Sequence, residues 1–183
     1  MKRLQILGCL IGGVLILSAC GSKAASVQPM AATESNAVSI HLLNQQGAKI
    51  GVAMLSQMKD GVQIQVQAAN LSPGEHGFHI HNVGLCEVPD FKSAGDHLNP
   101  MNKQHGFKNP LGYHAGDLPN LVVKADGTVN ATVTDKMVTL EKGKPNSLLT
   151  AQGTSLIIHQ KADDYMTDPS GNSGDRIACA VIK

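Results

Sequence analysis

Hydrophobic residues along this chain recur mostly with a period of two. The run VQIQVQA (62–68) alternates at every position, and runs of similar type occur at VSIHLL (38–43), KIGVAMLS (49–56), HGFHIH (76–81), TVNATVT (128–134), TSLIIHQ (154–160) and RIACAVI (176–182). Such alternation sends successive side chains to opposite faces, as in a half-buried strand. Asp-Gly pairs in KDG (59–61) and ADG (125–127) stand directly before two of these runs and favour tight hairpins. No strand-helix-strand alternation interrupts the series. The pattern predicts an antiparallel all-β domain, a sandwich or barrel of seven or eight strands.

Two stretches break the scheme. Residues 83–120 and 161–175 are rich in Gly, Pro, Asn and Asp and poor in strand pattern. Long connections in a compact domain usually carry function. They are read here as two functional loops, and the first contains three histidines.

The N-terminus follows another rule. MKRLQILGCLIGGVLILSAC has two early positive charges and an apolar run too short to span a bilayer, which predicts an export signal over residues 1–19. Its ending LSAC resembles the bacterial lipobox, whose cysteine is lipidated, so Cys20 is expected to tether the mature chain to a bacterial membrane in the periplasm. Residues 20–37 are small, polar and aperiodic and are expected to form a flexible linker, leaving 38–183 as the folded domain. With Cys9 removed and Cys20 lipidated, only Cys86 and Cys179 remain, and in an oxidising compartment they are expected to pair.

Composition changes the picture in two ways. A formal net charge of +1 and only five aromatic residues, three Phe and two Tyr, set nucleic-acid binding aside. So few aromatics also imply a core of Val, Ile, Leu and Ala, which profits from extra staples. The exposed strand faces show no readable interface, and a homodimer is compatible with them.

The candidate chemistry lies in GFHIHNVGLC (77–86). His79 and His81 share one strand face, while Phe78 and Ile80 take the other. The first loop adds His97, His105, His114 and Asp117, and a later strand adds His159. Six histidines and a carboxylate exceed what one four-coordinate metal can use, so two metals are implied. Seven residues fill eight positions only if one imidazole serves both. Imidazole suits copper and zinc, and a carboxylate oxygen completes a zinc shell.

In order, GFHIHNVGLC, AGDHLNPMNKQHG, YHAGDLPN, HQKADD and GDRIACAVI resemble the copper,zinc superoxide dismutases, from about Val38 to the C-terminus. The resemblance implies a Greek-key antiparallel β-sandwich or flattened barrel of about eight strands. It implies copper on His79, His81, His97 and His159, zinc on His97, His105, His114 and Asp117, and His97 as the shared, catalytic bridge. Asp163 matches an aspartate that hydrogen-bonds a ligand histidine of each site. Cys86 and Cys179 match the family disulfide, and Arg176 matches the cation that attracts superoxide, the substrate. His41 and His76 match no ligand. They are read as a strand-surface residue and a structural hydrogen-bonding residue.

One departure is Asp175, a negative charge directly before Arg176, in a segment (161–176) of net charge −2. Attraction of an anion would then draw on Lys92, Lys103 or Lys108. Two rival readings, a copper-carrying module without turnover and a sandwich with purely structural metals, leave Arg176 without a purpose. A copper-only relative would lack the zinc donors present here. The expectation is therefore an exported oxidoreductase that disproportionates superoxide.

Overall fold

The computed structural model describes residues 37–183; the expected export signal, Cys20 and all but the last residue of the expected linker lie outside the described residues. Eight strands follow in order: β1 (Ala37–Asn44), β2 (Lys49–Met58), β3 (Gly61–Ala68), β4 (Gly74–His81), β5 (Asp117–Val123), β6 (Val129–Asp135), β7 (Thr154–His159) and β8 (Arg176–Ile182). A single 3-10 turn, Lys92–Ala94, interrupts the first long loop. All pairings between these strands are antiparallel, and the strands lie in the order β5-β4-β7-β8-β1-β2-β3-β6.

This order folds into a nearly closed barrel with two halves. At one seam β1 and β8 share only two residue pairs, Leu43 with Cys179 and Asn44 with Ala178. At the other, β5 and β6 are in contact and are joined by the turn around Asp126, where Lys124 N–H donates to Thr128 O at 2.8 Å. That Asp-Gly pair therefore turns the chain between the two ends of the strand order, whereas the pair at Asp60-Gly61 closes an ordinary β2–β3 hairpin.

Alternating inward residues of both halves meet in one core. Ile40, Leu42, Leu55, Ile64 and Val66 face Phe78, Ile80, Leu118, Leu156 and Ile158, all buried. Polar partners alternate outward, as Gln65 and Gln67 do on β3.

One strand lies where the sequence reading placed a loop. β5 starts at Asp117, inside the stretch 83–120, and contains Pro119. Proline cannot donate to a ladder, so it masks the strand pattern; here it falls at a register shift between His76 and Phe78 of β4, where it opposes no partner.

Candidate metal centre

Strand β4 is buried on both faces. Phe78 and Ile80 enter the core, while His79 and His81 point outward and are covered by the loops. The first loop is pinned against β4 by two backbone bonds of 2.8 Å, Leu98 N–H to Ile80 O and Ile80 N–H to Gly116 O, and a third of 2.8 Å within the loop, Gly116 N–H to Leu98 O, holds its two arms together. A Cβ at Gly116 would overlap the Ile80 carbonyl, so this close approach requires glycine. The pinning carries His97 opposite His81 and delivers His114 and Asp117 beside it.

A first donor group gathers on one carboxylate oxygen. Asp117 Oδ1 lies 2.9 Å from His97 Nδ1, 3.0 Å from His105 Nδ1 and 3.2 Å from His114 Nδ1. Asp117 Oδ2 accepts the backbone N–H of Gly106 at 2.9 Å and of His114 at 3.0 Å, which fixes the carboxylate. Burial would raise the Asp117 pKa, but hydrogen bonds from His105, His114 and His97 hold it far below the usual carboxylate range. Three imidazole nitrogens around an anionic oxygen form a donor set suited to tetrahedral zinc.

A second group is purely imidazole. His79 Nδ1, His81 Nε2, His97 Nε2 and His159 Nε2 are buried with no hydrogen-bond partner among the described residues, and the four residues bring their donor atoms within 4.8 Å of one another. Each ring's other nitrogen is held. His79 Nε2 meets Asp163 Oδ2 at 2.8 Å, His81 Nδ1 meets Gly95 O at 2.8 Å, and His159 Nδ1 meets Gly174 O at 3.2 Å. Donating those N–H groups leaves a lone pair on each orphaned nitrogen. Burial also keeps the rings neutral: it pushes His97 down to about 3 and His159 to about 2, and lowers His79 and His81. Four neutral nitrogens without partners are costly unless a cation takes them, and an imidazole set suits copper.

The two groups meet at two residues. His97 turns Nδ1 to the Asp117 group and Nε2 to the imidazole group. Asp163 receives His79 Nε2 on one oxygen and His105 Nε2 on the other at 3.0 Å. Burial opposes ionisation of Asp163, yet bonds from His105 and His79 hold its pKa below the ordinary range. Burial would likewise push His105 down, but its bonds to Asp117 and Asp163 lift it to about 9. Gly171, at φ 62°, passes so close that a Cβ would overlap the Asp163 carboxylate.

Above the imidazole group opens a cleft lined by His81, His97, His159, Arg176 and Asp96. Arg176 is half-buried, donating from Nη1 to Phe91 O at 2.8 Å and from Nη2 to Gly95 O at 2.7 Å. The Gly95 carbonyl therefore serves both His81 and Arg176. A register shift on β8 sets Arg176 opposite His159. The carboxylate lining the cleft is that of Asp96, not Asp175; the sequence reading missed Asp96, although it immediately precedes His97. None of Lys92, Lys103 and Lys108 lines the cleft.

Cys86 and Cys179 are joined by a disulfide, with Cα atoms 5.7 Å apart. Around it Phe91, Ala94 and Ile157 pack into a small buried cluster, which supports the segment whose carbonyls hold Arg176. Of the two unassigned histidines, His41 is exposed on β1. His76 is buried, with Nδ1 2.7 Å from His159 O and Nε2 2.8 Å from Ser72 O.

Comparison with known proteins identifies the family. The family described as "Copper/zinc superoxide dismutase (SODC)" matches residues 49–182. A copper-zinc superoxide dismutase of Aquifex aeolicus is 52% identical over 143 residues, covering 78% of this chain and 85% of that protein. A superoxide dismutase-like protein of Bacillus subtilis is 42% identical over 191 residues, covering 100% of this chain and 96% of its own. A crystal structure of a SOD-like protein from Bacillus subtilis superposes with a TM-score of 0.77 at 45% identity, covering 79% of this chain and 97% of that one. With eight antiparallel strands, two adjoining His-rich donor groups and a family match over most of its length, this chain belongs to the copper/zinc superoxide dismutase family, whose metals are copper and zinc.

Proposed function

We propose that the protein is an exported superoxide dismutase, converting two superoxide anions and two protons into dioxygen and hydrogen peroxide. The observation that carries the reading is His97, whose two ring nitrogens face two different donor groups. In this reading His79, His81, His97 and His159 would hold copper, His97, His105, His114 and Asp117 would hold zinc, and copper would supply the one-electron couple that the reaction needs. One anion loses an electron to leave as dioxygen; the other gains it and takes both protons.

The chain's own residues do the rest. Arg176, anchored by two carbonyls, keeps further N–H groups for a small anion in the cleft. His97 Nε2, at the cleft wall, is an atom where the chain can hold a proton between the two half-reactions. Asp163 fixes the rings of His79 and His105, so both donor groups keep their geometry together. Export and tethering at Cys20 are supported by the signal-like first twenty residues.

Elemental analysis and superoxide decay on the metal-loaded protein test this reading. One copper and one zinc per chain are expected, with loss of one or both in His97→Ala. Arg176→Ala is expected to keep both metals while slowing superoxide decay. A single metal per chain, or metal content unchanged in His97→Ala, overturns the shared histidine; an Arg176→Ala protein as fast as wild type favours a metal-holding module.

A further inference from the structure

The N-terminal segment joins the domain at a distinctive end of the barrel. Ala37 opens β1 opposite Ser56, two residues before Met58, which pairs with Gly61 across the β2–β3 hairpin. Val62 pairs with Asp135, which brings Lys136 to the same end. The connection from β6 to β7 folds over it, and the pairing of Thr154 with Ile182 places Lys183 there too. One groove is lined by Lys142, Lys144, Pro145 and Lys183, and a neighbouring one by Lys59, Lys136 and again Lys144.

All five lysines are exposed. Their local counter-charges are few: Asp60, and Glu141, which lies 3.8 Å from Lys144. Asp135, which precedes Lys136 at the end of β6, is buried, and burial pushes its pKa up to about 7. Elsewhere the described residues carry seven cationic side chains against ten acidic ones. The domain is thus electrically polarised, with its basic end where the preceding chain enters.

We propose that this basic end is a docking face for an anionic phospholipid bilayer, with the lysines seated among headgroup phosphates. The proposal rests on the reading of Cys20 as a lipidated anchor. A linker of the length of residues 20–37 reaches only ~20 Å as a coil, so the first surface the membrane meets is the end from which the linker leaves. Each lysine near an anionic leaflet raises partitioning about fivefold, and five on one face act together. The two grooves share no residue with the metal cleft, so docking leaves the cleft lining uncovered.

Hydrogen exchange on the full chain, reconstituted in vesicles, tests the proposal. On vesicles with about 30 mol% phosphatidylglycerol in phosphatidylcholine, amides of 58–61 and 136–149 are expected to exchange about threefold or more slower than on pure phosphatidylcholine. Those of 45–48 and 124–128, at the opposite end, should not change. The protection should vanish in about 0.5 M NaCl and in the Lys136→Glu/Lys142→Glu/Lys144→Glu variant, whose metal content should match wild type. Equal protection on neutral vesicles, or stronger protection by soluble polyphosphate than by vesicles, overturns it. The mass of the N-terminal peptide reads the anchor separately. A lipidated chain without the footprint overturns the docking face and keeps the anchor, whereas an unlipidated chain that footprints on added vesicles supports the face and removes the anchor.

Discussion

The charge that most directly opposes an incoming anion is one carboxylate. Asp96 lines the cleft with Arg176, and its field, with that of Asp90, offsets the burial that lowers the Arg176 pKa. Electrostatic steering, long exemplified by this enzyme family, raises association when a cleft carries the opposite sign, and salt screens it over ~8 Å at 0.15 M. Asp96→Asn is therefore expected to speed superoxide decay by about two- to fivefold at low ionic strength, a gain that shrinks as salt rises. Stopped-flow decay across a salt series checks it; a slower variant would sink the assignment. A second carboxylate acts on stability. Asp135 is buried, Oδ1 accepts Met137 N–H at 2.8 Å, and Oδ2 has no partner among the described residues. Its pKa of about 7 in the fold exceeds the ordinary value of 3.8, so its contribution is full below about pH 4 and lost as pH rises through 7. Each pKa unit is worth ~1.4 kcal/mol. Asp135→Asn, which cannot ionise, should melt close to wild type at pH 4 and several degrees higher at pH 8, and thermal melts across that range check the difference.

At the scale of elements, what matters is how the first loop is fastened. Backbone bonds tie it to β4 at Ile80, and the disulfide ties it to β8 across a sequence separation of 93 residues. In the chain-entropy model closing such a loop is worth about 4–5 kcal/mol. The disulfide also backs Phe91 and Ala94, whose segment offers the Phe91 and Gly95 carbonyls to Arg176. Replacing Cys86 and Cys179 together by Ser should therefore lower the melting temperature by ten degrees or so and slow superoxide decay more than it lowers metal content. Calorimetry and metal analysis on the same sample separate the two effects. If the rate per bound copper is unchanged, the disulfide does not position Arg176.

The whole molecule stakes part of its stability on cations. Four buried imidazole nitrogens have no hydrogen-bond partner among the described residues, and unpaired buried polar groups are destabilising. Ions that bind only the folded chain stabilise it by mass action, ~4 kcal/mol at a thousandfold excess over the dissociation constant. Removing the metals with a chelator should lower the melting temperature by ~10 °C or more. Adding back zinc alone should recover part, and copper the remainder. A melt insensitive to chelation would mean that the four nitrogens find other partners.

Much of this was legible in the chain itself, because period-two alternation and donor chemistry are local. Seven of the eight strands follow from alternation, and the outward face of His79 and His81 follows from Phe78 and Ile80 taking the core. β5 did not, because Pro119 breaks its ladder and only the edge of β4 shows that a strand lies there. Arg176 is the sharper case. Counted by twos from buried Ala178 and Ala180, it belongs on the core face; the register shift beside His159 turns it to the cleft and lets Ile177 pack inward instead. Nothing in the residue types announces that shift, since it arises from the fit between two strands distant in sequence. Asp96 and the basic end share this origin: residue types supply the charges, but only closure of the barrel decides which of them share a cleft or a face.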